Sequence, residues 1–404
     1  MNNTKTVKIS EDYNNFSMDN EPLWLKEYRA KAGIFYNRES LPKRAKHLWR
    51  YTNPKKFFID PATTIEEESQ IRYEYDKNIS GQGVIIKPLH KALMENDNAQ
   101  KHFMTTVGIE HGKFEALNAK LWTSGLYIEI PDGLSIKEPL LIKRDVNANS
   151  FVAGRILLVV GSNASVSIID ELFGSSTSQD YLSLVTEAVV KEGSTINFMN
   201  INNLSNNSHA METSRIRLGR DAHLNWTFAN IGGATYKGDY GSTLAGKNSH
   251  SNIEGVLLGN KSQHTDYHTV QEHLFDHTYS NINFRVVLKD QARSSYTGLI
   301  RILPEAVSSE AYQENKNLLL SNNARTDSIP ELEILTDEVR CKHGVTAGPV
   351  DEEHLFYLMS RGIPRDEAVK IVVRGFLEPI LEKIPASLME RFSDEITSAL
   401  DGID

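Results

Sequence analysis

The 404-residue chain predicts a mainly β protein: a parallel β-helix core flanked by N-terminal and C-terminal helical regions. Three observations carry this. From Gly125 to about residue 348, one theme repeats: a β-branched run, a polar turn, then a second β-rich run. Each turn places a small residue after its polar ones, at Ala164, Ser194, Ala222, Ser249, Ser262, Ala292 and Ala324. Their spacing runs from 27 to 32 residues, with one short step of 13 between Ser249 and Ser262. Small residues recurring at equivalent corners suit a solenoid whose rungs pair with their neighbours. A β-sandwich also has many short strands but gives no reason for such corners. Helical patterns frame this core, which sets the regions at 1–122, 123–349 and 350–404.

The first 20 or so residues read as a disordered or loosely docked tail. Pro22 opens a helix with Leu25, Tyr28 and Ala32 on one face. "LPKRAKHLWRYTNPKKFFID" mixes basic residues with Trp49, Tyr51, Phe57 and Phe58, and reads as a solvated face over a small aromatic core. "HKALMENDNAQKHFM" and "GKFEALNAKLW" add helix, so this region is expected to be mostly helical. Pro131-Asp132-Gly133 forms the first turn of the β region. After Pro349, "DEEHLFYLMSRG" is a helix ended by Gly362, and Pro364 starts another. In that second helix Val369, Val372, Val373, Phe376, Leu377, Ile380 and Ile384 keep the helical period. Pro379 crowds the carbonyl of Gly375, so a compact, kinked cap is expected, and removing residues 350–404 is expected to leave the β-helix folded.

The formal charge of −9 and the absence of a basic tail disfavour nucleic acid and anionic membranes as partners. No apolar run is long enough to span a bilayer, the N-terminus lacks a secretory pattern, and a single cysteine excludes an internal disulfide. The expectation is a soluble cytoplasmic protein.

"GSTLAGKN", residues 241–248, nearly matches a phosphate-binding loop, but Asn248 stands where the magnesium-binding hydroxyl belongs, and no strand–helix context surrounds it. No nucleotide hydrolysis is expected. His264, His268, His273 and His277 recur near a spacing of four, which would align them on a helix. This stretch reads as strand and corner, so they are hydrogen-bonded histidines first and reserve metal ligands second. Cys341 and His343, two apart on a strand, project to one face, and Gly344 is expected to end that strand. Two ligands are half of a closed metal site, so a second chain would complete it. The competing reading is a small buried cysteine beside a structural histidine.

"LWRYTNP", "GLYIEIPDG", "FRVVLKDQARSSYTGLI" and the long stretch from "YQENKNLLLSNNARTDSIPELEILTDEVRCKHGVTAG" through "RGFLEPIL" resemble the SufB/SufD family of iron–sulfur cluster assembly proteins. At "DEVRCKHGVTAG" the likeness is to SufD rather than SufB, which typically has an "EHEA"-like stretch there. The resemblance implies a right-handed parallel β-helix in a complex with SufB and the ATPase SufC. It implies that the β-helix end pairs with SufB and that the C-terminal helices contact SufC. On those helices the aromatic and arginine residues favoured at interfaces, with Met359 beside them, make Phe356, Tyr357, Met359 and Arg361 the expected anchors. It also implies iron or an iron–sulfur cluster held transiently at the SufB interface near His343, with a SufB cysteine as partner ligand. No cofactor is expected in the isolated subunit. The resemblance leaves open a flavin in the complex and a homodimer of the lone chain. The reading is a non-catalytic scaffold; the alternative is a cytoplasmic β-helix carbohydrate-active enzyme, for which no paired acids stand out.

Overall fold

The computed structural model describes residues 6–8, 18–43, 47–57, 70–76, 82–147, 151–174 and 179–384. Among these residues nineteen strands form two sheets of ten and nine, wound as a parallel β-solenoid of about eight turns. From β4 (Ser124–Ile130) and β5 (Leu140–Asn147) to β18 (Arg325–Ile334) and β19 (Val339–Pro349), even-numbered strands build one sheet and odd-numbered strands the other. Each rung pairs in parallel with the next in its own sheet.

The corners explain the turn residues. At one corner the residue before each small side chain is left-handed: Asn163 (φ 54°), Gly193 (66°), Asp221 (55°) and Asn248 (58°). Asn, Asp and Gly tolerate that conformation best. The small residue behind it is buried, and its carbonyl accepts from the next rung: Thr195 N–H to Ala164 O at 2.9 Å, and His223 N–H to Ser194 O at 2.8 Å. The 13-residue step is a change of corner. Ala164, Ser194, Ala222 and Ser249 share one corner, which continues through Thr278. Ala292 and Ala324 belong to the opposite corner, where the residue stacked on Ala292 is Gln263; Ser262 is exposed. Counting small residues therefore misplaced Ser262, because a solenoid with two sheets has two corner columns.

Inside, aromatic rings pack between the sheets: Phe228 stacks on Tyr267 with centroids 5.3 Å apart, and Phe284 meets Tyr296 at 4.8 Å, tilted by 43°. Gly255 is glycine because a Cβ there would run into the Phe228 and Phe284 rings. A buried ion pair lies in this interior between adjacent rungs of the odd-numbered sheet, with Arg144 Nε and Nη2 on Asp170 at 2.8 and 2.7 Å.

The N-terminal region is not only helical. β1 (Thr6–Lys8) pairs antiparallel with β2 (Gln70–Asp76), which pairs with β5, while β3 (Ile85–Pro88) pairs with β4, so this region extends both sheets. Apart from β1, the tail reading falls largely on residues outside those described. Helices α1 (Leu23–Arg38), α2 (Leu89–Glu95), α3 (Asp97–His102) and α4 (Lys113–Leu121) cover the outer face of the even-numbered sheet, sharing a core of Leu25, Leu93, Trp122, Tyr127 and Leu157. Glu187 pins them there: its carboxylate accepts from the backbone of Met104 and Val107, both at 3.1 Å, and from Arg155 at 2.9 Å. Trp49 and Phe57 pack on Phe114, while Phe58 lies outside the described residues.

Helices α5 (Glu352–Ser360) and α6 (Arg365–Leu381) lie on the outer face of the odd-numbered sheet. Leu355, Ala368, Val369, Val373, Leu377 and Ile380 cover Ile169, Met199, Val256, Leu258 and Val287. Those sheet residues pack against the helices, so removing residues 350–404 would uncover an apolar face of the solenoid.

Candidate functional site: the open end of the solenoid

Both sheets stop at an edge. Among the described residues, β18 ends the nine-stranded sheet and β19 the ten-stranded one, each hydrogen-bonded on one side only. An edge strand presents unpaired N–H and C=O groups, which another chain can extend. Val345 and Ile334, in register with the buried Asn315 and Ile302 of the preceding rung, are each 38% exposed here, and Leu335 beside them is 50% exposed.

Cys341 and His343 lie in the first half of this last strand. β19 does not stop at Gly344 but runs to Pro349, so the pair sits on the lateral edge of the sheet rather than at a strand terminus. Gly344 needs no turn here because an edge strand tolerates it as extended backbone. Cys341 is half-buried and packs over Ile300, Ile302, Ala306 and Ala311. Burial pushes its thiol up, which opposes a reactive thiolate. His343 is exposed, in register with Gln313 on β17 (Ser309–Leu319). Gln313 is 3% exposed with neither amide atom hydrogen-bonded. A buried amide left unmade is costly, and this one lies on the strand next to the uncovered edge. Sequence reading missed Gln313 because a glutamine in a strand carries no signal until its face is known.

The four other histidines do not converge. β14 (His264–His273) alternates, so His264 and His268 face outward while His273 points into the solenoid. His264 Nε2 pairs with Thr52 Oγ1 at 2.7 Å, and burial pushes its pKa down to about 4. His268 Nδ1 meets Asp239 Oδ1 at 2.7 Å. His273 is fully buried between Thr278 and Ser280, at 2.7 and 2.8 Å, and burial depresses it to about 4 as well. His277 is the left-handed corner residue, bonded to Asp276 at 2.8 Å.

One set of ligand-type atoms does come together among the described residues: His111, Glu115 and Asp239, within 4.8 Å of one another. A cation is already in place there, because Arg215 Nη2 lies 2.7 Å from Asp239 Oδ1 and 3.4 Å from His111 Nε2. Against its own desolvation, Arg215, His268 and His111 hold the Asp239 carboxyl well below the usual carboxylate range. This is a satisfied ion-pair network. The phosphate-loop lookalike is a corner between β12 (Thr235–Leu244) and β13 (His250–Gly259): strands on both sides, with Asn248 as its left-handed residue.

On the C-terminal helices, Phe356 is 73% exposed and Tyr357 58%, with Met359 and Arg361 also outward. The Arg361 guanidinium lies 5.1 Å from the Tyr357 ring centre. No helix among the described residues is long and apolar enough to cross a membrane.

Residues 143–376 match the family described as SUF system FeS cluster assembly, SufBD core domain. The iron–sulfur cluster assembly protein SufB of Bacillus subtilis (strain 168) is 29% identical over 339 residues, covering 83% of this chain and 73% of the relative. An iron–sulfur cluster assembly SufBD family protein of Staphylococcus aureus (strain MRSA252) is 24% identical over 424 residues, covering 96% and 91%. Similarity to a SufB and to broader family members leaves SufD and SufB undistinguished by these matches. With more than half its length matched and the solenoid in place, the chain belongs to the SufBD core family of iron–sulfur cluster assembly proteins.

Proposed function

We propose that this chain is a non-catalytic cytoplasmic scaffold subunit, SufD-like, that supports iron–sulfur cluster assembly together with a SufB-type partner and a SufC-type ATPase. The observation that carries it is the unpaired β19 edge presenting His343 above an unsatisfied Gln313. A partner strand laid against that edge would complete the backbone pairing, cover Leu335 and Val345, and add ligands beside the His343 imidazole. Iron or a nascent cluster is cargo at this junction, with His343 as nitrogen donor or proton-transfer group and Cys341 chiefly packing. The exposed Phe356, Tyr357, Met359 and Arg361 are the ATPase dock, since aromatic and arginine anchors dominate interface energies. Family membership leaves the carbohydrate-active alternative without support, because it rested on solenoid architecture alone.

The test is anaerobic purification of the co-expressed complex for wild type and His343→Ala, with iron and sulfide measured per complex at matched subunit ratios. A sharp fall in both with an intact complex is the expected result; equal cluster content removes His343 from the site.

A further inference from the structure

The basic, aromatic segment around Trp49 has a second consequence at the solenoid corner it covers. A cavity of about 350 Å³ lies there, walled by Tyr51, Asn53 and Lys56 of the segment and by Ser262, His264 and Arg293 of the rungs. Its charges are all of one sign. Lys56 Nζ touches only Thr235 Oγ1, at 3.3 Å, and Arg293 forms no ion pair among the described residues. Arg293 is also in register with Arg325 on the next rung, about 4.8 Å away by ordinary strand spacing. Like charges directly opposite on adjacent strands destabilise a sheet. Burial and the neighbouring Arg293 both push the Lys56 pKa down, the mark of cations that lack a counter-charge. The nearby carboxylate, Asp266, is already engaged by Lys237 at 3.0 Å and by Thr52. His264, held neutral by burial at ordinary pH, neither adds nor removes charge. The other walls carry hydrogen-bond donors: the Tyr51 and Ser262 hydroxyls, and the Asn53 amide, whose oxygen is taken by the Lys55 N–H at 3.1 Å.

In a chain of net charge −9, a concave site whose two cations are unpaired among the described residues and whose other walls are neutral donors suits an anion. We propose that this corner binds the phosphate group of a small phosphorylated molecule, with Lys56 and Arg293 clamping the oxyanion. The cavity far exceeds one phosphate, since a water claims about 30 Å³, so the remaining space takes the organic part of the ester against Tyr51. This site is separate from the β19 edge and does not depend on the reading given to that edge.

Calorimetric titration of the full chain with inorganic phosphate and with phenyl phosphate, at constant ionic strength, tests it. Phenyl phosphate is expected to bind at least 10-fold more tightly than inorganic phosphate. Lys56→Met/Arg293→Gln is expected to weaken it at least 10-fold, while Arg293→Lys stays within about threefold. In phosphate-free buffer the double variant should unfold at the same temperature as wild type or higher, because removing the like charges relieves repulsion. Equal binding of the two probes, unchanged binding by the double variant, or a lower unfolding temperature for it without phosphate each overturns the proposal.

Discussion

At His273 a titratable ring is sealed inside the solenoid with both nitrogens bonded to hydroxyls. Its pKa is lowered from 6.5 to about 4, so the folded state binds fewer protons than the unfolded chain. The stability this contributes is present above about pH 6.5 and is lost as pH falls towards 4, on the order of 3 kcal/mol in all. Thermal unfolding followed from pH 7 to pH 4.5 should therefore show an acid limb, and His273→Gln should flatten it; an unchanged limb refutes the assignment. His343 is the opposite case. Exposed on the edge, its replacement by alanine should change unfolding free energy by no more than about 0.5 kcal/mol in the isolated chain. A loss of 2 kcal/mol or more in a denaturant titration would make it structural. Histidine number and spacing were legible in the sequence, but neither roles nor surroundings were: alternation along β14 sent His268 outward and His273 inward, and that depends on which face meets the core.

The corner is the element that makes the solenoid wind. Gly193 sits at φ 66°, and a Cβ there would meet the Asn163 side chain one rung away. Gly193→Ala should cost about 1–3 kcal/mol, more than the same change at Gly344, whose surroundings are open. Comparable losses for the two would show that the corner geometry is not what constrains position 193. The turns were readable because Asn, Asp and Gly betray left-handed backbone locally. Their division into two columns was not, since small residues in both corners look alike until the rungs are stacked. At the last rung, Val345→Lys places a charge on the uncovered edge. It should block association with a SufB-type partner in co-purification while leaving the lone chain's melting temperature within a degree or two. Retained association would argue against β19 as the contact.

For the whole molecule, the C-terminal helices serve two roles at once. Their inner face, from Leu355 to Ile380, covers the odd-numbered sheet, and their outer face leaves Phe356 and Tyr357 bare. Deleting them would confound docking with solubility, so the informative variant is Phe356→Ala/Tyr357→Ala. It should reduce capture of a SufC-type ATPase at least 10-fold with circular dichroism and melting unchanged, since each side chain buries little of itself in the chain's own core. Undiminished capture would place the dock elsewhere. By itself, the sequence determined the solenoid, its helical flanks and its family, because turn chemistry and strand composition are local and repeat rung after rung. Only the tertiary structure decided that the N-terminal segment extends both sheets, that Cys341 packs while His343 stays open, and that Lys56 meets Arg293 across more than 200 residues of chain. Those outcomes depend on which rung is last and which segment folds back over a face, and no local preference encodes contacts of that separation.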